Sequence, residues 1–205
     1  MLFRSPHKLG SMGCISPHPD PAITRPEVRI VNDQGQEVEV GDVGELTVRT
    51  PTLMQGYFND PQQTAASFDN GWFLTGDLCR RDKDDYLFFF TRKKDIIRRR
   101  GENISGAEID NVIGSHPDVL ECAAIGVASE LGEEEILVAV VPRPGATVSV
   151  QDIHQHAVAH LSAIKQPRYI VVVDNLPHTG SMKIAKFRLK PGTDLRDKAT
   201  DFHNL

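Results

Sequence analysis

Polar and apolar positions alternate along Glu27-Val28-Arg29-Ile30-Val31 and again along Gly44-Glu45-Leu46-Thr47-Val48-Arg49, with Asn32-Asp33-Gln34-Gly35 between them. A period of two, rich in β-branched residues and interrupted by turn formers, predicts strands with one buried face. Tyr86-Leu87-Phe88-Phe89-Phe90 follows the turn Asp82-Lys83-Asp84-Asp85 and predicts a further strand, buried along its aromatic run. Asp60 precedes Pro61-Gln62-Gln63-Thr64-Ala65-Ala66. A brief helix is expected there, because the carboxylate can accept first-turn amides and proline suits the first helical position. The first 90 or so residues therefore read as a small, mostly β region.

From about residue 92 the period changes to helices alternating with strands. Ser105 and Glu108 form a capping box before Ile109, Val112 and Ile113, whose spacing gives one apolar helical face. Cys122 to Val127 and Glu135 to Val141 predict a hairpin-like pair of strands, the second feeding the turn Pro142-Arg143-Pro144-Gly145. Ser149 and Asp152 open a second helix with Ile153, Ala157, Leu161 and Ile164 on one face, and Tyr169 to Val173 is a last β-branched strand. The order α-β-β-α-β predicts a compact α+β domain, a three-stranded sheet covered by two helices. Beyond Pro191-Gly192 the sequence is polar and is expected to fray.

With 205 residues, 40% hydrophobic and 25% charged, the chain has the balance of a globular protein with one or two cores. A net charge of -5 argues against a surface tuned as a whole to nucleic acid or anionic membrane. Cys14, Cys79 and Cys122 are odd in number and widely spaced, which fits neither a disulfide framework nor a zinc site. No stretch reaches the roughly 18 apolar residues of a membrane span, and the polar start has no signal-peptide core, so a cytoplasmic setting is expected.

Candidate chemistry gathers in two places. Trp72-Phe73-Leu74-Thr75-Gly76-Asp77-Leu78 puts a carboxylate after a glycine at a strand end. Two acceptor oxygens suit a vicinal diol such as that of a ribose, although Thr-Gly-Asp alone is a common turn. Fourteen residues on begins Thr91-Arg92-Lys93-Lys94-Asp95-Ile96-Ile97-Arg98-Arg99-Arg100-Gly101-Glu102-Asn103-Ile104-Ser105, with six basic residues. Guanidinium groups bind phosphates bidentately; a solvated basic surface or a nucleic-acid patch are the alternatives. No aromatic residue interleaves these charges, which disfavours nucleic acid. His154, His156 and His160 lie opposite the Ile153, Ala157, Leu161 face with no third ligand in register, so no metal site is expected. No Ser-His-Asp or Cys-His spacing suggests nucleophilic catalysis.

The ordered series Gly44-Glu45-Leu46, Gly56-Tyr57-Phe58, Gly71-Trp72, Thr75-Gly76-Asp77, Arg92-Lys93-Lys94-Asp95, Gly101-Glu102-Asn103-Ile104-Ser105 and Glu108-Ile109 resembles the adenylate-forming acyl-CoA synthetases. It continues through His116-Pro117-Asp118-Val119, Lys165-Gln166-Pro167-Arg168, Leu176-Pro177 and Lys183. Even Gly10-Ser11-Met12-Gly13 is similar to the segment after that family's adenine-binding motif. The resemblance implies residues 1–93 as the β-rich end of the large amino-terminal adenylation domain, 94–192 as the mobile carboxy-terminal domain, and 193–205 as a polar tail.

It also implies roles. Asp77 would hold the ribose hydroxyls of ATP and of the acyl-adenylate, and Arg92 would be the second nucleotide contact. Lys94 would be the hinge between the two half-reactions, and Gly101 and Glu102 would line the pantetheine passage. Arg98, Arg99 and Arg100 are, by charge, candidates for CoA phosphates. Lys183 would be the mobile catalytic lysine of adenylation, six residues after Pro177, with Met182 where the family's pattern has glycine. The implied co-substrates are ATP, CoA and a carboxylic acid, with Mg2+ held by ligands outside this chain.

The family's phosphate loop, adenine-binding segment and most of its acyl pocket are expected to lie before this sequence. The chain alone is therefore expected to be inactive and to need an amino-terminal part. The competing expectation is a non-catalytic module that binds nucleotide or CoA or docks on a separate amino-terminal half. Arg98-Arg99-Arg100-Gly101 with Lys165-Gln166-Pro167-Arg168-Tyr169-Ile170 most resembles the crotonobetaine/carnitine-CoA ligases and their medium-chain relatives, which points to fatty-acid or carnitine metabolism.

Overall fold

The computed structural model describes residues 8–15, 20, 22, 24–129, 132–189 and 195–202. The Pro191-Gly192 step, expected to open the tail, lies outside them. The chain divides into two units, Met1–Lys94 and Asp95–Leu205.

In the first unit, β1 (Gly13–Cys14), β2 (Glu27–Val31), β3 (Val43–Arg49), β4 (Phe68–Asp69), β5 (Trp72–Arg81) and β6 (Tyr86–Arg92) form one antiparallel sheet. The central order is β1-β6-β5-β3-β2, with β4 on β5. Helix α1 (Pro61–Ala66) starts as expected, since Asp60 Oδ1 accepts the Gln63 amide at 2.8 Å. Alternation places Ile30, Cys79 and Leu87 in the core on one face. The aromatic run of β6 departs from expectation: Tyr86 and Leu87 are buried, whereas Phe89 is 45% exposed. Side chains of a strand with one covered face alternate, so consecutive phenylalanines cannot all point inward.

The second unit opens with a hairpin of β7 (Ile96–Arg99) and β8 (Glu102–Ser105). Its two loop residues, Arg100 and Gly101, have φ of +52° and +79°. Positive φ at both positions is the turn whose twist matches a hairpin, and glycine there avoids the Cβ clash. Helix α2 (Gly106–Gly114) follows, with Ser105 Oγ accepting the Glu108 amide at 3.3 Å. Next come β9 (Val119–Ala128), β10 (Glu134–Pro142), α3 (Val150–His160) and β11 (Tyr169–Val172).

The expected three-stranded sheet has four strands, in the order β12-β11-β10-β9. The fourth, β12 (Thr200–Asp201), comes from the segment expected to fray, and α4 (Leu195–Lys198) precedes it. Strands β9 and β10 pair antiparallel as a hairpin, and β10 and β11 pair parallel through α3. Helices α2 and α3 bury Ile109, Ile113, Ile153 and Ala157 against one sheet face. The other face, with Ile125, Leu137 and Tyr169, is covered by Leu176, Ile184, Leu189 and Leu195. Coverage of both faces explains why Ile136 to Val141 is an unbroken apolar run.

Cys79 and Cys122 are buried, and burial pushes both thiols up to about 12. None of the three cysteines forms a disulfide.

Candidate functional site

The chemistry of Thr75-Gly76-Asp77 begins with a fault in the strand ladder. Leu74 pairs with Thr47 and Leu78 with Glu45, so residues 75 to 77 of β5 face Leu46 alone on β3. A bulge of this kind bends a strand and re-aims a side chain. Three side-chain bonds replace those the ladder loses. Thr75 Oγ1 donates to the Leu46 carbonyl at 2.7 Å and accepts the Asp77 amide at 3.1 Å, while the Gly76 amide donates to Glu45 Oε1 at 3.1 Å. Gly76 has φ +72°, and a Cβ there would meet nothing within 4 Å, so glycine answers a conformational demand and not a lack of room.

Asp77 and Arg92 are register partners across β5 and β6. Arg92 Nε lies 3.0 Å from Asp77 Oδ1. The approach is out of line for a hydrogen bond, and Oδ1 is shielded from solvent with no aligned donor. The Asp77 side chain is 28% exposed, so the surface a ligand hydroxyl can reach lies on the rest of the carboxylate and not on Oδ1. Lys93 follows Arg92 and contacts Glu45 Oε2 and Asp33 Oδ1, each at 3.0 Å. Lys94 is exposed in the 3-10 turn Lys93–Asp95 where the two units meet in sequence.

The three arginines after the turn do not act together. Strand alternation sends Arg98 and Arg100 to solvent and Arg99 inward, where it is 7% exposed. Arg99 Nε lies 2.8 Å from Glu135 Oε2, and its Nη1 donates to the Ile164 and Gln166 carbonyls at 2.8 and 2.9 Å. These contacts engage Arg99 in packing within the second unit, unlike the exposed Arg98 and Arg100. The Gly101 amide is held by the Glu133 carboxylate at 3.1 Å and the Arg98 amide by Glu134 Oε2 at 2.9 Å. These contacts fix the hairpin that presents Arg98, Arg100 and Glu102 to solvent.

Lys183 is exposed on a loop of the second unit whose ends are tied down. His178 and Ile184 form a bridge, and the Ala185 amide donates to the Pro177 carbonyl at 2.7 Å. Within the loop, the Thr179 amide donates to the Lys183 carbonyl at 2.8 Å and the Met182 amide to the Thr179 carbonyl at 2.9 Å. His178 Nε2 lies 2.9 Å from Glu121 Oε1 on β9. Just beyond the loop, Lys186 Nζ lies 2.5 Å from Asp110 Oδ2 on α2. Burial pushes the Asp110 carboxyl above its ordinary value, and Lys186 and the Ala124 amide partly offset this. Met182 has φ +61°, so the residue in place of glycine adopts the conformation glycine would supply.

The histidines serve structure. His156 Nε2 lies 3.0 Å from both the Val112 carbonyl and Ser115 Oγ, tying α3 to the end of α2, and His154 stacks on Phe202 at 4.0 Å. Among the described residues no group of three or more His, Cys, Asp or Glu is placed to hold a metal, and no helix is long and apolar enough to cross a membrane. Sequence reading missed the task of Glu45, although Gly44-Glu45-Leu46 was part of the recognised series. Its signal was a carboxylate on a half-buried strand.

Comparison with known proteins bears on both units. Residues 108–183 match the family model described as the AMP-binding enzyme C-terminal domain. The oxalate–CoA ligase of Arabidopsis thaliana is 41% identical over 181 residues, 88% of this chain and 34% of the relative. The crotonobetaine/carnitine–CoA ligase of Salmonella arizonae is 33% identical over 178 residues, 83% of this chain and 34% of the relative. Among solved structures, o-succinylbenzoate coenzyme A synthetase from Bacillus subtilis in complex with ATP and magnesium ion aligns with a TM-score of 0.76 at 34% identity, over 89% of this chain and 36% of that one. The chain thus spans about a third of the length of the relatives it matches.

Proposed function

We propose, for a chain that belongs through residues 108–183 to the AMP-binding enzymes, that it is the carboxy-terminal portion of an acyl-CoA synthetase working in the cytoplasm. The whole enzyme would adenylate a carboxylic acid with ATP, release pyrophosphate, and transfer the acyl group to CoA. The crotonobetaine/carnitine–CoA ligase relative supports an acid of carnitine metabolism. Magnesium would accompany the triphosphate through ligands outside this chain.

The observation that carries this reading is the pinned bulge, which aims Asp77 beside Arg92 and leaves its carboxylate partly exposed. Asp77 accepts the ribose hydroxyls. Arg92 orients that carboxylate and donates to the ribose or the α-phosphate. Lys183 brings a compact ammonium to the negative charge that develops as the acid's carboxylate attacks the α-phosphate, a stabilisation made only in the transition state. Lys94 is the hinge about which the second unit turns between half-reactions, a task that a few residues absorbing a φ/ψ change can perform. After that turn Arg98 and Arg100 meet CoA phosphates, and Gly101 and Glu102 line the thiol's approach.

The test joins the amino-terminal part of the crotonobetaine/carnitine–CoA ligase in frame ahead of this chain. The fusion is expected to exchange pyrophosphate into ATP and to form a CoA thioester, while the 205-residue chain alone does neither. Lys183→Ala should slow adenylate formation by about 100-fold or more, the scale of losing one preorganised charge contact, and leave thioester formation from a preformed acyl-adenylate unchanged. Equal loss in both half-reactions would refute the role of Lys183. Nucleotide binding with no chemistry in the fusion would favour the non-catalytic module.

A further inference from the structure

Glu45 stands in β3 opposite Leu78, and its side chain is 11% exposed. A carboxylate withdrawn from water is costly unless it is both paired and hydrogen-bonded. Glu45 has both kinds of partner, and both flank the candidate nucleotide pair. Its Oε1 accepts the amide of Gly76, the residue before Asp77, at 3.1 Å. Its Oε2 takes the ammonium of Lys93, the residue after Arg92, at 3.0 Å. Asp77 and Arg92 are themselves register partners, so one carboxylate touches the two strands on the same side of that rung. The Gly76 amide has been displaced from the ladder by the bulge, and Glu45 supplies the acceptor that the neighbouring strand cannot. Lys93 is also held by Asp33 at 3.0 Å, and these two hydrogen bonds keep its ammonium above the ordinary value. The chain Asp33, Lys93, Glu45, Gly76 therefore runs from the β2–β3 turn to the bulge and passes beside the hinge residue Lys94.

We propose that Glu45 is the positioning residue of the nucleotide site, a two-armed clamp that sets the Thr75-Gly76-Asp77 bulge with one oxygen and the Arg92-Lys93 strand end with the other. This rests on Asp77 and Arg92 being the ribose contacts. Glu45 touches neither nucleotide nor reacting atoms; it acts through Gly76 and Lys93. The two arms can be cut separately. Glu45→Gln keeps an acceptor for the Gly76 amide and loses the charge that holds Lys93, Lys93→Met removes the second arm from the other side, and Glu45→Ala removes both.

The experiment is nitrogen-15 NMR on the intact 205-residue chain, reading hydrogen exchange at the Gly76 amide and the Nε–H resonance of Arg92. Glu45→Ala should speed Gly76 exchange by about tenfold or more, as expected for loss of a charge-assisted bond, and should move the Arg92 resonance toward its position in Asp77→Asn. Lys93→Met should leave Gly76 exchange close to the wild type and move only Arg92, and Glu45→Gln, which keeps a neutral acceptor, should speed Gly76 exchange less than Glu45→Ala does. The core amides of Ile30 and Leu87 should be unchanged in all of them. Unaltered Gly76 and Arg92 signals in Glu45→Ala overturn the clamp, as does a uniform rise in exchange across the first unit, which would make Glu45 a general stabiliser. Titration with AMP, done on the fusion that supplies the amino-terminal part, separates the underlying reading. If wild-type Asp77 and Arg92 signals ignore AMP, the nucleotide assignment fails while the clamp still stands or falls on Gly76 and Arg92. If they respond, Glu45→Ala should weaken AMP about tenfold.

Discussion

Met182 shows how a single residue can carry a cost that its contacts do not reveal. Its side chain is 77% exposed and its φ is +61°, a conformation in which a Cβ crowds the backbone. A non-glycine residue there is disfavoured by about 1–2 kcal/mol, and the extra freedom of unfolded glycine takes back part of that on replacement. Met182→Gly is therefore expected to stabilise the second unit by about 1 kcal/mol in urea unfolding. A loss of stability would show that the thioether makes a contact worth more than the strain. The same scale explains which site residues could be read from sequence. Asp77, Arg92 and Lys183 are candidates that the sequence can nominate, because residue identity and spacing survive as a linear signature. Glu45 lies in that signature with no role that sequence can show, because its partners Gly76 and Lys93 lie 31 and 48 residues away and meet it only across strands. A run of three arginines does not say which one a strand turns inward, and here it is Arg99.

At the level of elements, Ile96 to Ser105, within the basic run from Thr91 to Ser105, folds as a β-hairpin that the sequence did not announce. Asn-Gly or Asp-Gly announces such a turn, and Arg100-Gly101 announces it only by its glycine. Helices were easier to find: Asp60, Ser105 and Ser149 each cap the helix expected of them, because a cap and its first turn are neighbours in sequence. The hairpin is held to β10 and to the α3–β11 connection by the buried pair of Arg99 with Glu135. Removing one partner of such a pair leaves a buried charge, so Arg99→Ala should destabilise the second unit by about 3–5 kcal/mol. Arg98→Ala and Arg100→Ala, at exposed positions, should stay within about 0.5 kcal/mol. The double variant Arg99→Met with Glu135→Leu should recover most of the loss, because no charge is then left unpaired. Equal effects from all three arginines in urea titrations would contradict the inward placement of Arg99. If Arg98 and Arg100 alone serve CoA, Arg99→Met with Glu135→Leu should also leave thioester formation in the fusion unchanged.

The whole molecule differs most from the sequence reading at its end. Residues after 194 are polar and short of apolar spacing, so nothing local distinguished them from a frayed tail. Residues 195–202 nevertheless complete the second unit, because β12 finds its partners in β11 and not nearby in sequence. Tyr169 and Ile170 pair with Asp201 and Thr200, Arg168 grips the Asp201 carboxylate with two bonds of 3.0 Å, and Phe202 is 7% exposed in the main core. One aromatic ring at the end of a polar segment anchors the element. Truncating a core phenylalanine costs about 3–5 kcal/mol, so Phe202→Ala should lower the stability of the second unit by about 3 kcal/mol. The sole tryptophan, Trp72, lies in the first unit, and its fluorescence transition should stay in place while the circular dichroism transition of the second unit moves. The ring also covers His154, stacked on it nearly parallel, and burial holds that imidazole below its ordinary value. A histidine with a lowered folded pKa binds fewer protons than in the unfolded chain, so its contribution to stability is lost as pH falls below about 6.5. Removing Phe202 opens His154 to water, and the imidazole should return toward its ordinary value with that part of the acid sensitivity gone. If Phe202→Ala left both the second transition and the His154 titration unchanged, the end of the chain would be a tail after all.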